Sequence, residues 1–244
     1  MIRLEQNPAV RQYLRQYEIL AKAQCAPIIW PDEDNIYEGG TMTFLRTSRG
    51  IIGITNRHVA EGIEKQSHRT DIVFQLGHLR FDPRRLIQKH PDLDLATYDI
   101  SEVALATARH EAASVRSWPI PKPNKNDTLM MGGWPGHDRK QKDDGNLELP
   151  FSWIAANISG EPGRYITIEP NMEDRTAISE RGMEPVIDFG GWSGGGVYRY
   201  VGEPDVIIEY LELCGIVTES HENGYFVMAH DLTSLNEDGT FNLN

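Results

Sequence analysis

Phe189-Gly190-Gly191-Trp192-Ser193-Gly194-Gly195-Gly196-Val197 is the stretch that decides how the remainder of this chain reads. A serine stands among glycines, just ahead of the β-prone residues Val197, Tyr198 and Tyr200. Glycine on both sides lets the backbone turn sharply and keeps side chains away from the hydroxyl. A nucleophile needs that access if a substrate carbonyl is to reach it. The backbone N–H groups of Gly191 and Ser193 can then converge on one point and stabilise a developing oxyanion. A plain tight turn in a β-protein has the same composition, so the run needs partners elsewhere in the chain.

The chain has 244 residues, enough for one large all-β domain or two small ones. Hydrophobic residues make up 39% and charged residues 25%, which is the balance of a globular protein rather than a disordered one. No apolar run approaches the ~18 residues of a membrane helix. The start, Met1-Ile2-Arg3-Leu4-Glu5-Gln6-Asn7-Pro8, has no apolar signal core. With only Cys25 and Cys214, far apart, there is no disulfide framework. A cytoplasmic location is expected, with no membrane partner. The net charge of −12 argues against a nucleic-acid partner, because phosphate binding needs clustered Lys and Arg.

Residues 8–23 have helical spacing: Val10, Tyr13, Leu14, Tyr17, Leu20 and Ala21 recur on one face, behind Asn7 as N-cap and Pro8 at the first helical position. The apolar face is expected to pack on the main body. After Pro31 the texture turns to β. Thr41 to Arg46 and Ile51 to Thr55 form a hairpin about the turn Ser48-Arg49-Gly50. Asp71–Leu76 and Asp94–Ile100 read as further strands, and Ser101–Arg116 as a short helix. Trp118-Pro119-Ile120-Pro121-Lys122-Pro123-Asn124 is too proline-dense for a central strand or a helix interior and reads as a linker. Short strand candidates then resume and continue to Ala229. The expected fold class is all-β: two six-stranded β-barrels with an N-terminal amphipathic helix. The expected division is a helical extension at 1–30, a first barrel at 31–117, a linker at 118–124 and a second barrel at 125–244.

A serine hydroxyl is a poor nucleophile at neutral pH and needs a base, itself oriented by a carboxylate. Of the eight histidines, His58 stands out because it directly follows the first hairpin, in Ile54-Thr55-Asn56-Arg57-His58-Val59-Ala60. Asp94 opens an apolar strand, where an unpartnered carboxylate is costly. Asp92 is its rival, further from the apolar run.

At these residues the chain resembles the chymotrypsin-like, or trypsin-like, serine peptidases. The family's T-N-x-H pattern matches Thr55-Asn56-Arg57-His58. Its D-L-A pattern matches Asp94-Leu95-Ala96, and its G-x-S-G-G pattern matches Gly191 to Gly195. The order His, Asp, Ser is the family's, with intervals of 36 and 99 residues. Gly215-Ile216-Val217-Thr218 looks like the substrate-flanking strand, and Gly133-Trp134-Pro135 like an element of non-secreted members. The likeness spans roughly residues 38–232. It implies a catalytic set of His58, Asp94 and Ser193, an oxyanion hole at the N–H groups of Gly191 and Ser193, and a substrate border at Thr218, Glu219 and Ser220. The primary pocket would be floored at Ile187, or at Asp188 if a bulge shifts the register, Asp188 otherwise being a surface or loop-pinning carboxylate. Tyr225 to His230 would form its far wall, with His230 either lining it or playing a structural part.

The chain departs from zymogen-forming members. Their aspartate just before the serine is Trp192 here, which cannot pair with a freed terminal ammonium. The resemblance therefore implies a serine endopeptidase without that kind of proteolytic activation. Its partners would be a peptide or protein substrate and a regulatory protein, the latter met by the N-terminal helix or by the loops 137–146 and 171–183. No cofactor or metal is implied. Two other readings stay open: a peptidase-like binding or scaffold module without turnover, and an esterase of the α/β-hydrolase class. Gly191 to Gly195 also fits that class's serine motif, but the required strand–helix alternation is missing.

Overall fold

The computed structural model describes residues 15, 18–34, 36–125, 127–136, 140–141, 147–158, 165–168, 177–179, 182–184, 190–203, 206–220 and 227–243. Two antiparallel sheets dominate. The first is built from β1 (Cys25–Pro31), β2 (Tyr37–Arg46), β3 (Ile51–Thr55), β4 (Gln75–Leu76), β5 (Leu79–Arg80), β6 (Leu86–Lys89) and β7 (Ala96–Asp99). Its spatial order is β5-β4-β1-β2-β3-β7-β6. A helix, α1 (Arg57–Gln66), leaves the end of β3.

The second sheet comprises β8 (Thr128–Gly133), β11 (Ser152–Asn157), β12 (Tyr165–Ile168), β13 (Ala177–Ser179), β14 (Gly182–Glu184), β15 (Gly196–Glu203), β16 (Val206–Ser220) and β17 (Val227–Asp231). Its order is β12-β17-β16-β15-β8-β11-β13-β14. A separate two-stranded ribbon pairs β9 (Lys140–Gln141) with β10 (Leu147–Glu148).

The strand β2 shows how sequence positions the site. Side chains alternate between the two faces of a strand, yet every residue from Gly40 to Leu45 is buried. Met42 and Phe44 enter the core of the first sheet, with Ile28, Val59, Ile63 and Tyr98. Leu45 faces the other way into a core shared by both sheets, with Ile52, Ile54, Met130, Trp153, Tyr198 and Ile216. Thr41 and Thr43 share that second face and are fully buried, which requires hydrogen-bond partners. Those partners lie in the serine loop of the other sheet. A third cluster, including Leu129, Met131, Ile166, Trp192, Val197 and Val227, fills the second sheet.

The all-β class holds, but the described strands number seven and eight in the two main sheets rather than six each. In the second sheet the short pair β13–β14 accounts for the excess. Residues 18–23 are helical, and Ala21 packs into the shared core. The rest of the expected N-terminal helix, apart from Arg15, lies outside the described residues. The first sheet begins at Cys25, inside the stretch that the sequence assigns to a helical extension, and β1 pairs with β2 along its whole length.

The helix expected at Ser101–Arg116 is instead a single 3-10 turn at Leu105–Ala108. Arg109 ends it in the left-handed region, at φ 60°. Ala113 then spends its backbone on β2, donating to Phe44 and accepting from Arg46. A helix through this region would forfeit both bonds. Among the described residues no helix is long and apolar enough to cross a membrane.

Candidate active site

Histidine 58 sits in the first turn of α1, and Asp94 in the bend just before β7. The two meet through a pair of hydrogen bonds. His58 Nδ1 lies 2.6 Å from Asp94 Oδ2, and the His58 backbone N–H donates to Asp94 Oδ1 at 3.0 Å. One carboxylate thus fixes both the position of the helix start and the orientation of the ring. Burial alone would raise the Asp94 carboxyl. The His58 ring and backbone N–H, with the nearby Arg57 charge, outweigh it and hold the group below the ordinary 3.8. The carboxylate is therefore anionic at neutral pH. Asp92 is exposed, and the carboxylate bonded to the His58 ring is that of Asp94.

The backbone around Asp94 is held from several directions. Asn56, at the N-cap of α1, donates its side-chain amide to the Asp94 carbonyl at 2.8 Å instead of capping the helix. His90 Nδ1 accepts from the N–H groups of Asp92 and Leu93, at 3.1 and 3.0 Å. Arg57 reaches the Pro91 carbonyl. The Asp94 N–H itself donates across the sheets to His230 Nε2 on β17, at 3.2 Å. His230 is only 2% exposed. It therefore backs the Asp94 main chain from the second sheet.

Ser193 lies in the loop that feeds β15. Its hydroxyl donates to the Thr218 carbonyl at 3.3 Å, and it makes no hydrogen bond with His58. Thr218 sits within the register shift in β16 between Val217 and Glu219, and its own hydroxyl donates to the Met228 carbonyl at 3.2 Å. Glu219 and Ser220 pair through their backbones with Met228 and Val227, and their side chains lie outside the description. Ile187 and Asp188, the two expected pocket residues, also lie outside the described residues.

The serine loop is tied down by its carbonyls. Gly190 O accepts from Gly136 N at 2.6 Å, Trp192 O from Gly195 N at 2.7 Å, Ser193 O from Thr41 N at 2.8 Å and Gly195 O from Val217 N at 2.8 Å. Gly191 O accepts from the Thr41 hydroxyl at 2.9 Å, and Gly194 O from the Thr43 hydroxyl at 2.8 Å. Every carbonyl from Gly190 to Gly195 is thus occupied. Among the described residues, the N–H groups of Gly191 and Ser193 have no acceptor.

Glycine is required at two of these positions. Gly191 and Gly194 both adopt φ +93°. A Cβ on Gly191 would stand 2.5 Å from the Trp134 carbonyl, and one on Gly194 would run into the Thr41 carbonyl. The sequence marks these glycines. It gives no sign of Thr41 or Thr43 as site residues.

Both cysteines are buried free thiols. Burial pushes Cys25 up to about 12 and raises Cys214 further, so neither is a nucleophile at neutral pH.

No family model matches the chain, and no curated protein matches it. Solved structures do. An inactivated protease paralogue of the scabies mite superposes with a TM-score of 0.51 at 12% identity, covering 88% of this chain and 92% of that one. A thermostable serine protease from an extremophilic microorganism gives 0.49 at 10% identity, covering 87% and 93%. A protease of Arthrobacter nicotinovorans gives 0.47 at 10%, covering 86% and 90%. Identities this low speak for the backbone and leave the chemistry to the residues themselves. The first of these superpositions, with the sheet order described above, shows that this chain is built on the chymotrypsin-like serine peptidase fold.

Proposed function

We propose that the chain is a serine endopeptidase that cleaves peptide bonds through an acyl-enzyme on Ser193. The double hydrogen bond between His58 and Asp94 carries this reading. It sets Nδ1 as the protonated ring nitrogen and leaves Nε2 as the base. Ser193 Oγ attacks the peptide carbonyl while its proton passes to His58 Nε2. Asp94 stabilises the imidazolium, which then protonates the leaving amine. A water repeats the sequence on the ester. The oxyanion forms against the N–H groups of Gly191 and Ser193, each worth about 3–4 kcal/mol in the transition state.

For attack, the hydroxyl must turn from the Thr218 carbonyl to His58 Nε2. Hydrogen bonds of this kind commonly tighten only once substrate is bound. Thr218, Glu219 and Ser220 would run beside the substrate backbone, with the primary pocket at Ile187 or Asp188. The segment 31–117 would contribute the base and its carboxylate, and 125–244 the nucleophile. Trp192 has no charge to offer a freed N-terminal ammonium, which supports activity without zymogen cleavage.

A second reading, a silent binding module, is favoured by one observation: the serine hydroxyl bonds Thr218 rather than His58. A fluorophosphonate probe separates the two. The enzyme labels at Ser193, with or without an uncleaved N-terminal tag. Ser193→Ala abolishes both labelling and peptide cleavage with its thermal melt unchanged. An unlabelled, folded wild-type protein defeats the peptidase reading.

A further inference from the structure

The peptide between Gly190 and Gly191 is the weak point of the site. Glycine on both sides leaves it free to rotate, and of the loop's Gly–Gly peptides it is the one that carries an oxyanion donor, the Gly191 N–H. A flip would turn the Gly191 N–H out and put a carbonyl where the oxyanion must sit. In the structure one contact holds that peptide directly, and two more brace the Gly191–Trp192 unit on which it pivots; none involves a charge or a chain terminus. Gly136 N–H holds the Gly190 carbonyl at 2.6 Å. The buried Thr41 hydroxyl holds the Gly191 carbonyl at 2.9 Å while accepting the Trp134 N–H at 3.2 Å. The Trp192 ring is fully buried, and its Nε1–H donates to Ser152 Oγ on β11 at 3.1 Å.

The direction of the free donors follows from peptide geometry. In a trans peptide the carbonyl and the N–H point opposite ways, and Trp118–Pro119 is the only cis bond among the described residues. With the Gly190 carbonyl on Gly136, the Gly191 N–H points away from the 134–136 segment. With the Trp192 carbonyl on Gly195, the Ser193 N–H points away from Gly195. Both donors are left open while every neighbouring carbonyl is tied.

We infer that Thr41 is a positioning residue that, with the Trp192–Ser152 hydrogen bond, holds the oxyanion hole permanently in its donating form. This rests on the peptidase reading above and deepens it: the first sheet, through one hydroxyl, sets the electrophilic half of a site whose nucleophile belongs to the second. No activating cleavage is then needed, because a neutral buried lock occupies the place where a charge pair would otherwise be made.

The experiment compares Thr41→Val, which keeps the shape and removes the hydroxyl, with Thr41→Ser, which keeps the hydroxyl. Ser152→Ala removes the indole's acceptor and stands in if Thr41→Val does not fold. Two rates are read: fluorophosphonate labelling of Ser193, and hydrolysis of p-nitrophenyl acetate resolved into kcat and KM. Thr41→Val is expected to lose about 10-fold or more in labelling and kcat, with KM within about 2-fold. That is a fraction of the ~10²–10³-fold lost when a donor is deleted outright. Thr41→Ser should stay near wild type, and Ser152→Ala should fall in the same direction by less. Wild-type rates in Thr41→Val or Ser152→Ala, or a Thr41→Ser loss as deep as that of Thr41→Val, overturn the inference alone. Failure of the wild type itself to label overturns the peptidase reading and the inference with it.

Discussion

Replacing Asp94 by asparagine tests the site at the contact that supports it most directly. The carboxylate accepts twice, from His58 N at 3.0 Å and from His58 Nδ1–H at 2.6 Å. Asparagine has one acceptor and one donor. The backbone N–H of His58 can only donate, so the amide oxygen must face it. The amide NH2 is then forced against Nδ1, which must give up its proton and accept. The ring moves to the tautomer with hydrogen on Nε2, and the nitrogen facing the serine becomes a donor that cannot take a proton. The shape of the site survives and its base does not. A wrong tautomer of this kind costs about 10⁴-fold in turnover, which at 1.36 kcal/mol per decade is ~5 kcal/mol of transition-state stabilisation.

The assay is fluorophosphonate labelling and p-nitrophenyl acetate hydrolysis beside a thermal melt, with Asp92→Asn as the control expected to behave as wild type. Stability has a sign as well. Asp94 is held below its ordinary 3.8, so its contribution to folding is present above that pH and is lost as pH falls through the lowered value. The stability gap between Asp94→Asn and wild type should therefore be widest near neutrality and close in acid. An Asp94→Asn protein within 10-fold of wild-type turnover would refute the tautomer argument; a gap that widens in acid would refute the reading of the carboxylate.

Two further outcomes are expected. His230→Leu removes the acceptor of the part-buried Asp94 N–H and should cost about 1–3 kcal/mol in urea unfolding. His230→Gln, whose amide oxygen reaches a similar point, should recover most of it, and equal losses in the two would contradict the cross-sheet bond. Native protein should leave Cys25 and Cys214 unreacted with Ellman's reagent, and both thiols should appear on denaturation. Fast titration of either thiol in the native state would show that its burial is wrong.

What the sequence discloses here is local. Glycines at 191 and 194 announce a turn because no other residue tolerates φ +93° beside a neighbouring carbonyl. The hairpin of β2 and β3 is visible from its β-branched runs and its Ser-Arg-Gly turn. His58 and Asp94 are marked by their places beside strands and by their flanking residues, and the structure brings the two into contact. Contacts that cross between sheets leave no such mark. Thr41 bonds a residue 150 positions away and His230 one 136 away, and no periodicity encodes either. The expected helix at Ser101–Arg116 failed for the same reason. Alanine-rich composition favours a helix, but the Ala113 backbone is claimed by β2, and tertiary hydrogen bonds outweigh propensity differences of a few tenths of a kcal/mol per residue.

The threonine bridges from β2 to the serine loop mean that neither sheet contains the proposed site by itself. His58 and Asp94 are aligned by one sheet and Ser193 by the other, and the hydroxyls of Thr41 and Thr43 register one against the other. Activity is then a gauge of how the two halves are docked. A slip between them too small to expose either core or to melt a single strand would still unseat the donors around Gly191. In mild denaturant the chemistry should disappear while the β-sheet signal is intact, and the halves, supplied as separate chains, would regain it only by finding each other.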